Sequence, residues 1–259
     1  MPEGPQCRCT ASFLEAHLQG KVLTRVEITG GRYKNHGQFD GYTLITKALP
    51  LRLLYVGSRG KLIVFMFEKE IYLLSTLGLT GKWVRHRGKH SGVSFAFGEE
   101  LMYYDDQMHF GTVRVVSFPR MLKASLSLGH DVCGEEELSI DYMQSCIDKR
   151  GCWEICKLLM NQSFFAGIGN YLKAEVLYLA RIAPMSVCGK IPSDALRELV
   201  SAINSVCPRH YEQLIKGGRR ERLVVYGKKK DGFGNAVSRL KTGDGRTSHW
   251  VQALQVIYK

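Results

Sequence analysis

Hydrophobic positions in residues 5–19 recur at helical spacing. Cys9, Phe13 and Leu14 share one face and Gly20 stops the run, so a helix is predicted there. Over 22–117 the pattern changes to short runs rich in Val, Ile, Leu, Phe and Tyr, broken by glycines, at 51–56, 62–67, 71–75, 92–97, 101–104 and 112–116. Breaks at that frequency predict an antiparallel sandwich or barrel. Past about residue 120 the helical period returns. Met143, Cys146 and Ile147 are spaced i, i+3, i+4, and Ile155, Leu158 and Leu159 repeat the spacing. Gly151 stands between the two sets, so 140–160 is one helix or two. A glycine-containing turn at 165–169 leads into a helix over 170–182 that stops at Pro184. A further helix follows Pro192, with Leu196, Leu199, Val200 and Ile203 on its inner face. Beyond Gly218 the chain turns to short β-like pieces. The whole reads as an α+β chain of two domains, an N-terminal antiparallel β-sandwich with a leading helix and a C-terminal helical part, dividing near 120–138.

A length of 259 residues with 45% hydrophobic and 23% charged positions suits two cores. No apolar run approaches the roughly 18 residues of a membrane span. The start Met1-Pro2-Glu3-Gly4-Pro5 lacks the basic and apolar regions of a signal peptide, so an intracellular protein is expected. The formal charge of +12 changes the picture more, because a surplus of this size favours a polyanionic partner such as nucleic acid. The 8 cysteines form no CxxC. The nearest pairs, Cys7-x-Cys9 and Cys152-x3-Cys156, have no matching second pair, so reduced thiols in a core are expected, with no metal.

Two segments carry candidate chemistry. Pro is small enough that Met1 is expected to be removed, leaving Pro2 as a free secondary amine. An α-amino group titrates at roughly 7.7–8.0, so part of it is unprotonated and nucleophilic near neutral pH. Glu3, next in the chain, is placed to move protons. The alternative is a plain turn leading into a helix, with Pro5 in its first turn. The second segment runs Asn161-Gln162-Ser163-Phe164-Phe165-Ala166-Gly167-Ile168-Gly169-Asn170-Tyr171-Leu172-Lys173-Ala174-Glu175. Gly167 and Gly169 let the backbone approach a ligand, the next helix aims its free N–H groups at the turn, and Asn170 adds an amide. That makes an anion site. Glu175 lies on a largely apolar face and is expected to brace the turn by binding backbone donors or a cation. The alternative is an ordinary αα-hairpin with a glycine cap.

Pro2-Glu3-Gly4-Pro5 together with Gln162…Ala166-Gly167-Ile168-Gly169-Asn170-Tyr171-Leu172…Glu175 resembles the Fpg/Nei family of DNA glycosylases, and within it the endonuclease VIII-like branch. The likeness spans residue 2 to about 256. It implies three parts: a catalytic β-sandwich over 1–125, a helix-two-turn-helix DNA-binding domain over 126–222 and a β-hairpin finger over 223–259. It implies that Pro2 forms a Schiff base, that Glu3 handles protons, and that Lys61 in Ser58-Arg59-Gly60-Lys61 assists at a phosphate. By its residues alone Lys61 is an ordinary turn lysine. The finger usually carries two CxxC pairs. Here Val251 and Leu254 stand where the second pair falls, so a zincless finger held by apolar packing is implied, with Arg246 gripping phosphates. The basic run from Lys216 to Lys230 is either part of that surface or a solvated face. Leu79 and Phe110 match residues that fill the space left by an extruded base. Met108 stands where the family has an arginine that reads the opposite base, and a thioether cannot read a base edge. The link over 216–225 is too short for a lid over an oxidised purine, which favours oxidised pyrimidines and ring-opened bases. The implied partner is damaged DNA, bound by a monomer without cofactor, in the nucleus if the source is eukaryotic. A catalytically inert DNA binder and an RNA-binding protein are the competing readings.

Overall fold

The computed structural model describes residues 2–217 and 223–259. Met1 and 218–222 lie outside the described residues. With them lie the removal of Met1, half of the short link over 216–225, and three of the basic residues of the 216–230 run. The chain divides into two units, one of Pro2 and Gln6–Ser127, the other of Glu3–Pro5 and Leu128–Lys259.

Helix α1 (Gly4–Leu18) opens the chain. Its buried stripe is Cys7, Ala11, Leu14 and Leu18, whereas Phe13 is exposed and Cys9 half-buried. The expected face is therefore rotated, with Leu14 as the shared position. The stripe follows i, i+4, i+7, i+11 and includes Cys7 and Ala11, small residues that let the helix lie close to the core. Strand β1 (Val22–Ile28), short helices α2 (Gly31–Asn35) and α3 (Tyr42–Ala48), and strands β2 (Leu51–Arg59), β3 (Leu62–Phe67), β4 (Ile71–Thr76), β5 (Lys82–Val84), β6 (Ser91–Phe97), β7 (Glu100–Asp105) and β8 (Thr112–Ser117) follow, then α4 (Phe118–Leu126). The strands run in the order β5-β7-β6-β1-β2-β3-β4-β8, antiparallel at every pairing. β1 and β2 pair only at Val22–Leu23, so the sheet turns a corner there into two four-stranded halves. One core receives side chains from both halves, and Phe67 of one stacks on Phe97 of the other at 6.5 Å. Trp83 lies within 5.5 Å of Phe65, Phe95 and Tyr104. Each large side chain buried here contributes about 1.5–3 kcal/mol.

In the second unit, β9 (His130–Asp131) pairs in parallel with β10 (Phe165–Ala166). Ser139 caps α5 (Ile140–Arg150) by accepting from Tyr142 N at 3.1 Å. A separate α6 (Ile155–Met160) follows, so the helical stretch over 140–160 is two helices, broken at Gly151–Glu154. Then come α7 (Asn170–Leu179), α8 (Ser193–Ile215) and the antiparallel hairpin β11 (Ser238–Lys241) with β12 (Thr247–Trp250). Nine of the ten residues of α7 are buried, including Lys173 and Glu175. A helix enclosed on every side is the centre of its unit, and its two charged residues each require a partner. Among the described residues no helix is long and apolar enough to cross a membrane.

Candidate active site

The N-terminus of α7 is occupied by a carboxylate of the chain itself. Glu3 is fully buried. Its Oε2 accepts from Gly169 N at 2.9 Å and Leu172 N at 3.1 Å, and its Oε1 from Tyr171 N at 2.9 Å. These are the orphan amides of the first helical turn, where the dipole favours negative charge. The anion site expected at this turn exists, but Glu3 fills it, and no phosphate has access to those three amides. A Cβ at Gly169 would lie 2.2 Å from the Glu3 carboxyl carbon, so Gly169 is required for close approach. Gly167 is at φ +107°, and its carbonyl accepts from Gly4 N at 2.9 Å. Glu3 and Gly4 are thus strapped to the 165–169 turn. Gln162 braces that turn, donating to Ile168 O at 2.9 Å and accepting from Gly167 N at 3.1 Å.

Glu175 has a different place from the one expected. It does bind backbone donors, but they are Val224 N, Val225 N and Tyr226 N, at 2.8, 3.0 and 2.9 Å. Through these three bonds Glu175, in the second turn of α7, anchors the chain entering the hairpin, and it is buried away from solvent. The side chain of Asn170 donates to Thr247 O at 3.0 Å, tying the start of α7 to the hairpin. Its Oδ1 is buried with no hydrogen-bond partner among the described residues.

Arg246 is exposed in the turn between β11 and β12. Val251 is buried and Leu254 half-buried in a small cluster with Ala174, Tyr178 and Val225. Asp231 adds polar order to the hairpin base, accepting from Phe233 N, Asn235 N, the Asn235 amide and the Tyr178 hydroxyl. Among the described residues no three His, Cys, Asp or Glu side chains converge on a metal site. His249 leans on Tyr226 at 4.8 Å. Its imidazole is held below the ordinary value by burial, and further by Arg239 and Lys173. The pattern analysis missed Lys173, which is wholly buried and paired with Asp244 of the hairpin turn. A lysine on a largely apolar helix was the available signal, but its partner lies 71 residues away.

In the first unit, Pro2 is half-buried, and Lys61 is half-buried just after Gly60, which sits at φ +55° in the β2–β3 turn. Leu79, Met108 and Phe110 come from two loops that interlock. The Thr80 hydroxyl donates to Asp106 Oδ1 at 2.5 Å, Met108 N donates to Thr80 Oγ1 at 2.9 Å, and Gly111 N donates to Asp106 Oδ2 at 2.8 Å. Arg32 clamps the second loop through His109 O at 3.0 Å and Gly111 O at 3.3 Å. Sequence reasoning missed Arg32, Thr80 and Asp106. The result is a rigid base carrying Phe110 at 60% and Met108 at 48% exposure, with Leu79 half-buried. Large apolar groups held out to solvent by polar anchors are suited to inserting into something.

A family model described as the formamidopyrimidine-DNA glycosylase N-terminal domain matches residues 1–113. The formamidopyrimidine-DNA glycosylase of Lactobacillus gasseri is 25% identical over 284 residues, covering 100% of both chains. That of Solibacter usitatus is 29% identical over 210 residues, 80% of this chain and 75% of the relative. Among solved structures, a complex of LlFpg with THF-DNA and an inhibitor superposes with a TM-score of 0.85 at 23% identity, over 98% of this chain and 100% of that one. MutM in complex with carbocyclic 8-oxo-G containing DNA superposes equally well, with the same coverage and identity. In its N-terminal domain, along its length and in its fold, the chain is thus similar to the formamidopyrimidine-DNA glycosylases of the Fpg/Nei family.

Proposed function

We propose that the protein is a bifunctional DNA glycosylase and AP lyase of base excision repair, acting through Pro2. The observation that carries the reading is the seat of Glu3. Three amides at the start of α7 fix this carboxylate, so Glu3, the residue that follows Pro2, is held rather than left to fray. A pure DNA binder has no need of such an anchor. The likeness to formamidopyrimidine-DNA glycosylases supports the same reading.

In the proposed cycle the basic surface binds damaged DNA as a monomer, and the nucleotide flips out at a cost of a few kcal/mol. The Pro2 nitrogen attacks C1′, the glycosidic bond breaks, and the base leaves with the bonding pair and a proton. Opening of the sugar ring gives an iminium between Pro2 and C1′, with Glu3 handling the protons. Loss of a C2′ proton expels the 3′ phosphate, a second elimination expels the 5′ phosphate, and water releases Pro2. Lys61 assists at a phosphate, and Arg246 grips those flanking the flipped nucleotide. Leu79, Met108 and Phe110 fill the gap left behind. We assign oxidised pyrimidines and ring-opened bases as substrates, and the endonuclease VIII-like branch as the place in the family. Strand incision tests this. DNA carrying thymine glycol is expected to be cut to ends bearing phosphate on both sides of the gap, faster than DNA carrying 8-oxoguanine. Faster cutting at 8-oxoguanine overturns the lesion assignment, and intact DNA with binding retained overturns the enzyme.

A further inference from the structure

The Arg246 turn is held unusually firmly for an exposed loop. Thr242 N donates to Arg246 O at 3.1 Å and Gly245 N to Thr242 O at 2.9 Å. Asp244 Oδ1 accepts from the Thr242 hydroxyl at 2.7 Å and from Arg246 N at 3.1 Å. Both backbone polar groups of Arg246 are therefore fixed from within the turn, and Asp244 is the hub. Its other oxygen, Oδ2, accepts from Lys173 Nζ. The two side chains are 0% and 3% exposed. Burial alone raises the Asp244 carboxyl, but the Lys173 ammonium, the Thr242 hydroxyl and the Arg246 amide together hold it below the ordinary carboxylate value.

A buried ion pair is a poor way to gain stability, because removing two charges from water offsets most of their attraction, and apolar replacements of similar volume are often as stable. What the pair supplies is direction. Lys173 sits in the first turn of α7, one position after Leu172, whose amide holds Glu3. Asn170, at the head of the same helix, donates to Thr247 O on the far side of Arg246. Glu154, just before α6, accepts from Gly243 N at 2.7 Å. The helix that seats Glu3 thus also seats the turn that carries Arg246.

We infer that Lys173 is a positioning residue which, through Asp244, fixes the backbone of Arg246 and so presents its guanidinium to one phosphate of the bound strand, in register with the Glu3 seat on the same helix. The inference rests on Arg246 being a phosphate contact, so the experiment measures that first. The probe is a duplex carrying a tetrahydrofuran abasic analogue, with Kd determined across a salt series for the whole protein. Arg246→Ala is expected to weaken binding roughly 10- to 100-fold, as loss of a charged hydrogen bond does. It should also lower the slope of log Kd against log salt by about 0.9, the value of one phosphate contact. The apolar pair Lys173→Met with Asp244→Leu removes the hub while keeping the site filled, and its melting temperature should stay near that of the parent. It is expected to reproduce both the weaker binding and the lower slope, and adding Arg246→Ala to it should cost little more. Should that pair not fold, Asp244→Asn keeps Oδ1 as an acceptor but loses the charge that holds Lys173, and the same drop in slope is expected. A merely structural pair would lower the melting temperature and leave the salt slope unchanged. Parent-like binding by the hub variant, with Arg246→Ala weakened, overturns the inference and leaves the phosphate contact standing. Parent-like binding by Arg246→Ala overturns the phosphate contact and the inference with it.

Discussion

Gly169 and Glu3 fit each other closely. The carboxylate lies where the Cβ of any other residue at 169 would be. Gly169→Ala must therefore displace Glu3 from the three amides, even though the backbone at 169 is extended and tolerates alanine. Base excision is expected to fall by about 100-fold or more, the range of a mispositioned general acid or base, while affinity for abasic-analogue DNA changes little. Incision kinetics beside a binding titration checks this, and full activity in the alanine variant would show that the seat is dispensable. Met108 carries a second prediction at this scale. It stands on the rigid loop beside Phe110 and lacks a hydrogen-bond donor. Excision by the parent should depend weakly on the base opposite the lesion. Met108→Arg should introduce a preference of roughly 5- to 100-fold, the range of a good contact to a base edge.

At the scale of elements, α7 organises the second unit. Its first turn binds Glu3, its next residues bind Asp244 and the chain at 224–226, and Tyr178 near its end meets Asp231. Glu175→Ala would leave three inward-facing amides without their acceptor, one of them fully buried, and is expected to cost about 2–4 kcal/mol in denaturant unfolding. The Tyr178 phenol is pushed up to about 12 by burial and then by the Asp231 carboxylate. A folded value above the unfolded one means that this contribution is complete below about pH 10 and lost as pH rises through about 12. The melting temperature of the parent should fall more steeply over that window than that of Tyr178→Phe.

Much of this architecture was legible in the hydrophobic pattern. β3 matched its predicted bounds, and β2, β4, β6, β7 and β8 were each foreseen to within three residues at either end, because they are short runs rich in β-branched and aromatic residues set off by glycine-containing breaks. The short helices α2 and α3 and the linker helix α4 were not seen: the first two have five and seven residues, and α4 buries none of its own. The glycine-flanked turn before α7 was legible as an anion seat from local geometry. That its anion is Glu3 was not, since the two segments are 166 residues apart in sequence. The same distance problem hid the partners of Lys173 and Glu175. Burial and charge say that a partner exists, but only the tertiary fold says which.

For the whole molecule, a charge of +12 favours a polyanionic partner, and the proposed function makes that partner DNA. Binding to undamaged duplex should be weak and strongly salt-dependent, with lesion recognition added through the wedge loops and the Arg246 turn. The proposed chemistry, however, turns on one atom, the nitrogen of Pro2. Borohydride trapping addresses it directly, because borohydride reduces an iminium to a permanent amine. The N-terminally processed protein, incubated with DNA carrying thymine glycol or an abasic site and treated with borohydride, is expected to give a covalent protein–DNA band that maps to Pro2 and is lost when Met1 is retained. No band with either substrate, with Met1 verified absent and DNA binding intact, would contradict the account and leave a binding protein in the place of an enzyme.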